Sequence, residues 1–129
     1  RAPFSLGKTM CKEHQSIFTS AARTATESAT ISVESGEGLF FIDVTAATAT
    51  PSVVFTIAGI SPNGSTAYTI LASAAITGVG LTVLRVSPQL TAAANTIAKD
   101  MLPAALKITA THADTDSITY SMAFVGVES

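Results

Sequence analysis

From Thr30 onward, apolar and polar positions alternate along the chain with a period of two. Ile31 and Val33 open the pattern, and Leu39-Phe40-Phe41-Ile42-Asp43-Val44 continues it after Ser35-Gly36-Glu37-Gly38. This alternation places successive side chains on opposite faces of a strand. Ser52 to Ile60 predicts a further strand with Val53, Phe55 and Ile57 on one face. Ser61-Pro62-Asn63-Gly64-Ser65 follows, and the Asn-Gly pair tolerates positive φ, so a hairpin is predicted there. Ala67 to Ala74 returns, and Gly78 to Val86 adds a strand with Val79, Leu81 and Val83 facing one way.

Pro88 ends that run. Alanine-rich Thr91 to Lys99 allows one helical turn or an irregular loop, and Pro103 blocks any extension. The two clearest strands come last. Ala104 to His112 sets Leu106, Ile108 and Ala110 against Lys107, Thr109 and Thr111. Ser117 to Val125 sets Ile118, Tyr120, Met122 and Phe124 against Thr119, Ser121 and Ala123. A short hairpin loop, 113–116, joins them. About seven short strands at roughly ten-residue spacing predict an all-β fold, an antiparallel β-sandwich. The clean alternation disfavours a parallel sheet, whose strands are apolar on both faces. The predicted core is Phe40, Phe55, Tyr68, Leu81, Leu106, Ile108, Tyr120, Met122 and Phe124. With no Trp and many Ala, the domain is expected to have modest stability of its own.

Residues 1–29 lack any sustained period and carry Pro3, Gly7 and scattered charges. They predict an extended N-terminal arm ahead of a sandwich spanning 30–129. Fixing each backbone residue costs about 1–2 kcal/mol. Phe4, Leu6, Met10, Ile17 and Phe18 return about 1.5–3 kcal/mol each when fully buried. Those five cannot order the whole segment, so they are candidate interface residues that lie along a neighbouring subunit or partner.

Composition sharpens this picture. The 129 residues carry a net charge of −2, with 47% hydrophobic and only 12% charged residues. The charged share is about half the usual 25%. Seven Lys and Arg in a weakly acidic chain make a poor nucleic-acid binder. One cysteine excludes an internal disulfide. No signal peptide is read at the start, and the most apolar stretch, Leu71 to Val86, is too short and too interrupted to span a membrane. No Asp, Glu, Lys or Arg occurs between Asp43 and Arg85. Charge depletion on this scale suits an assembled protein whose interfaces cover the uncharged block.

Candidate chemistry is thin. Cys11-Lys12-Glu13-His14 spaces a thiol and an imidazole like half of a zinc site, but no second pair completes four ligands. His112-Ala113-Asp114-Thr115-Asp116 gathers an imidazole and two carboxylates in what reads as a polar turn capped by its own aspartates. Glu34 and Glu37 flank a glycine turn and are expected to be solvated. Gly78-Val79-Gly80 precedes a strand, not a helix, and is no phosphate loop. No Gly-x-Ser-x-Gly elbow accompanies the serines. No catalytic, cofactor-binding or metal-ligating residue is therefore assigned.

Several segments carry a resemblance. Ser20-Ala21-Ala22-Arg23-Thr24-Ala25-Thr26 leads into Phe41-Ile42-Asp43-Val44-Thr45-Ala46. Then come Leu81-Thr82-Val83, Met101-Leu102-Pro103, Lys107-Ile108-Thr109-Ala110-Thr111-His112 and Ser117-Ile118-Thr119-Tyr120-Ser121. That order, over roughly Thr19 to Val125, resembles the small β-sandwich virion proteins of tailed bacteriophages, including capsid decoration (cement) proteins. The first eighteen residues lie outside the resemblance, and the turn from Ile60 to Ala67 lacks the charges expected there. The resemblance implies a non-enzymatic protein on the capsid surface, assembled in the host cytoplasm. Its implied partners are the major capsid protein and neighbouring copies of itself, with no nucleic acid and no membrane. A tail or head-tail component and a carbohydrate-binding sandwich module are the alternatives.

Overall fold

Val53, Phe55 and Ile57 are fully buried while Val54 and Thr56 between them are not, so the alternation read from the sequence is the alternation of a strand with one face in a core. The computed structural model describes residues 12–63 and 66–127. Within them the chain forms nine strands and no helix. These are β1 (Lys12–Arg23), β2 (Glu27–Ser32), β3 (Glu37–Ala47), β4 (Val53–Ile60), β5 (Ala67–Ala72), β6 (Gly80–Val86), β7 (Ile97–Ala98), β8 (Ala105–His112) and β9 (Ile118–Val127). A five-stranded sheet in the order β1-β9-β3-β6-β7 packs on a four-stranded sheet in the order β2-β8-β4-β5. Every pairing is antiparallel except the two-residue contact of β6 with β7. The predicted antiparallel sandwich is the observed fold.

The pairings are nested. β4 pairs with β5, β3 with β6, β2 with β8 and β1 with β9. A long hairpin whose tip is the β4–β5 turn has been rolled up, so that β9 also meets β3 and β8 also meets β4. This is the connectivity of a jelly roll, with β7 as a small addition. Ser61 N–H donates to the Thr66 carbonyl at 2.8 Å and closes the tip, where the Asn63-Gly64 pair predicted a hairpin.

Between the sheets lie Phe18, Phe40, Phe55, Tyr120 and Phe124 with a surround of Ile, Leu and Val. Tyr120 takes Phe55 edge-on at 5.0 Å and Phe18 edge-on at 6.0 Å, and Phe40 packs on Phe124 at 4.9 Å. Offset and edge-on geometries suit the ring quadrupole. Gly38 of β3 sits opposite Gly126 of β9. A Cβ at Gly38 would lie 2.5 Å from the Phe124 ring and 2.6 Å from the Val125 carbonyl oxygen, so the aromatic stack needs glycine there.

Four expectations are corrected. Residues 12–29 are not an arm: they supply β1 and the start of β2, and β1 runs alongside β9 of the same chain. Phe18 is buried in the chain's own core and Ile17 packs half-buried against it, so neither is a free anchor. Phe4, Leu6 and Met10 lie outside the described residues. The period was hidden in β1 because its register shifts twice, between Ser16 and Phe18 and again before Ala21. Such irregularities scramble alternation, and they also twist an edge strand away from unwanted pairing.

Leu81 is not core but 62% exposed, and Val79 is 68% exposed. The face carrying Val79, Leu81 and Val83 is the outer one, because Leu84 and Val86 fill the interior; a one-residue change of parity swaps the two faces. Tyr68 is 47% exposed at the start of edge strand β5, with its ring lying over Gly59. The 90s segment forms no helical turn. Asn95 adopts φ 63° and its side chain donates to the Ala72 carbonyl at 3.1 Å, tying an irregular loop across β5. Asn is among the few residues that take this left-handed conformation readily.

Candidate functional site

The chain crosses between the sheets twice at one corner, from β1 to β2 through 24–26 and from β8 to β9 through 113–117. Four side chains meet there. The Tyr120 hydroxyl donates to Glu27 Oε2 at 2.9 Å, and Arg23 Nη1 donates to both Glu27 oxygens at 2.6 Å. The Arg23 guanidinium lies 5.1 Å over the Tyr120 ring and 5.4 Å over the Phe18 ring, and it also donates to the Thr19 carbonyl. His112 Nε2 is 3.2 Å from the Tyr120 hydroxyl. Since the single phenolic proton goes to Glu27, that contact assigns the imidazole proton to Nε2. Nδ1 is then left bare, buried and without a partner.

Burial pushes the His112 pKa below its ordinary value despite the Glu27 and Asp114 carboxylates nearby. Burial pushes the Tyr120 pKa well up, and the bond to Glu27 adds to the rise. A neutral imidazole next to a firmly protonated phenol holds no activated nucleophile. What this arrangement does is clamp the corner: Arg23, Glu27, His112 and Tyr120 come from β1, β2, β8 and β9 in turn.

The outer faces of the two sheets differ sharply. On the four-stranded sheet, Ser28 and Thr56 flank Thr109, and Thr30 and Ala58 flank Lys107, giving a hydroxyl-covered surface. On the five-stranded sheet, the outward rows set Leu39, Phe41, Leu81, Val83, Ala123 and Val125 among a few polar positions. One row runs His14, Val125, Leu39, Arg85. The next runs Ser16, Ala123, Phe41, Val83. The third runs Ser121, Asp43, Leu81. A groove of about 570 Å³ crosses the face between His14, Phe41, Leu81 and Ser121. A second, of about 210 Å³, continues the apolar surface past Leu39 and Arg85 to Leu90. A third, beside β5, is lined by Ile70 and residues of the 90s loop. None of the three is lined by Arg23, Glu27, His112 or Tyr120. Half-buried Leu39, Phe41, Val83 and Val125 beside exposed Leu81 make an apolar strip across this face, and contiguous apolar exteriors mark interaction sites.

The other sequence candidates fall elsewhere. His14 is exposed on β1, and Cys11 lies outside the described residues. No group of three metal-ligating side chains occurs among the described residues. Asp114 accepts from the Asp116 amide at 3.1 Å, the self-capped turn expected there, while Asp116 accepts from the Thr50 amide at 3.1 Å and ties the turn to the β3–β4 connection. Glu34 is exposed; Glu37 accepts from the Ser87 hydroxyl at 2.8 Å. The sequence marks Glu13 only by its place beside Cys11. It accepts from the amides of Glu34 and Ser35 and from the Ser35 hydroxyl at 2.9–3.1 Å, bracing the β2–β3 turn. The uncharged block does not form one face: β4 and β5 belong to one sheet and β6 to the other.

No family model, no curated protein and no solved structure matches this chain.

Proposed function

We propose that the chain is a non-enzymatic virion structural protein, a capsid decoration protein that binds and stabilises the shell of a tailed phage in many copies. The observation that carries this reading is the apolar outer face of the five-stranded sheet, set against the hydroxyl-covered face of the other sheet. A two-sided protein of this kind has one face suited to contact with another chain, a copy of itself or the shell. The resemblance of its strand segments to phage virion proteins points the same way. The jelly-roll connectivity agrees by fold-level analogy, since viral capsid proteins are among those built on it.

Copy counting on purified particles, by mass spectrometry and by averaging electron micrographs, tests the proposal. A decoration protein is present in hundreds of copies spread over the shell. A handful of copies at one vertex or along the tail would assign it to the tail or the head-tail junction instead. Absence from particles would overturn the reading. Particles lacking the protein are expected to release their contents at a lower temperature than particles carrying it.

A further inference from the structure

We propose that the apolar face of the five-stranded sheet is covered by a second copy of the same chain, in a two-fold dimer in which Asp43 of each copy meets Arg85 of the other. The inference rests on reading that face as a contact surface, and it adds the occupant and the register.

Two charges stand on the β3–β6 part of this face. Asp43 and Arg85 are both exposed and sit at opposite corners of an otherwise apolar patch around Phe41 and Val83. Asp43 pairs with Leu81, and Arg85 pairs with Leu39 four residues back along β3. At about 3.4 Å per residue and about 4.8 Å between strands, the two charges lie about 14 Å apart. They cannot bond within one copy, and Arg23–Glu27 is the ion pair among the described residues.

A two-fold axis parallel to the face and running across the strands over Phe41 and Val83 changes this. It carries Asp43 onto Arg85 of the second copy and Arg85 onto Asp43, making two equivalent ion pairs. It also lays Phe41 on Phe41 and Val83 on Val83. Self-complementarity of this kind is what an isologous interface requires. The same operation crosses the strands of the two copies at about 40° by these spacings, close to the roughly 30° at which twisted sheets pack face to face. Four strands about 10 residues long, crossed at about 40°, overlap over about 500 Å² per copy, or about 1,000 Å² in total, the lower end for a specific interface.

Sedimentation of the full chain tests this. The expected species at about 100 μM is twice the 13.1 kDa monomer mass. Arg85→Asp alone and Asp43→Arg alone each bring like charges together and are expected to weaken the dimer at least about tenfold. Asp43→Arg combined with Arg85→Asp restores opposite charges and is expected to recover it. Unchanged thermal midpoints in dilute solution show that the variants fold. A monomer at all concentrations, or a dimer that both single variants leave intact, overturns the proposal. So does a doubly exchanged chain no better than the single ones. If residues 1–11 or the shell covers the face instead, the isolated chain stays monomeric. A monomer that still decorates particles overturns the dimer and leaves the virion reading standing; a dimer absent from particles does the reverse.

Discussion

Tyr120 has one hydroxyl proton, and it goes to Glu27. Everything at the corner follows from that. Tyr120→Phe removes a bond to a carboxylate and strands the His112 N–H, and is expected to cost about 1–3 kcal/mol in chemical denaturation while leaving the ring packing intact. His112 gives the corner a pH dependence. Its folded-state pKa lies below the ordinary 6.5, because burial disfavours the imidazolium. Below about pH 6.5 the unfolded chain therefore binds the proton more readily than the folded one. The stability His112 contributes is full above that pH and declines as pH falls toward the folded value. Thermal midpoints measured from pH 8 to 5 should fall for the wild type, and the fall should be smaller in His112→Gln. Glu13 acts in a separate, lower window. Burial would raise its pKa, but hydrogen bonds from Glu34, Gln15 and Ser35 outweigh it and hold the carboxylate below 4.5. Its contribution is present above that pH and is lost as pH falls through the folded value.

At the scale of the element, turns and edges decide the structure more than propensity does. Glu13→Ala leaves the Glu34 and Ser35 amides without their acceptor. Faster hydrogen exchange confined to the β2–β3 turn, with a loss of about 1–2 kcal/mol, is the expected result. Gly38→Ala drives a methyl into the Phe124 ring and the neighbouring carbonyl, and is expected to destabilise by about 1–3 kcal/mol, read as a lower midpoint in urea. The sequence made the interior of the four-stranded sheet plain, because Leu106, Ile108 and Ala110 alternate strictly with Lys107, Thr109 and Thr111. It obscured β6 of the other sheet for a physical reason. Leu81 and Val83 on one face and Leu84 and Val86 on the other are all apolar, so alternation does not say which side is inside. Strands that are apolar on both faces hide their own parity, and β6 is such a strand. β1 stayed illegible because its two register shifts break the period, and Glu13 because its partners lie twenty-one and more residues away.

For the whole molecule, the rolled hairpin makes nearly every strand pairing long-range. Folding in milliseconds to seconds is expected in stopped-flow dilution, slow for a chain this short. Deleting residues 1–18 removes Glu13 and Phe18 together with half of β1. Loss of the Phe18 ring alone is worth about 3–5 kcal/mol, so the shortened chain is expected to unfold at markedly lower urea concentration. The position of β9 between β1 and β3 also has a consequence for synthesis on the ribosome. Until β9 has emerged, β1 has no strand to pair with and the column of the outer face formed by Ser121, Ala123 and Val125 does not exist. On the proposed dimer, a nascent or prematurely terminated chain thus has no finished surface to offer another copy, and only a chain translated through β9 pairs.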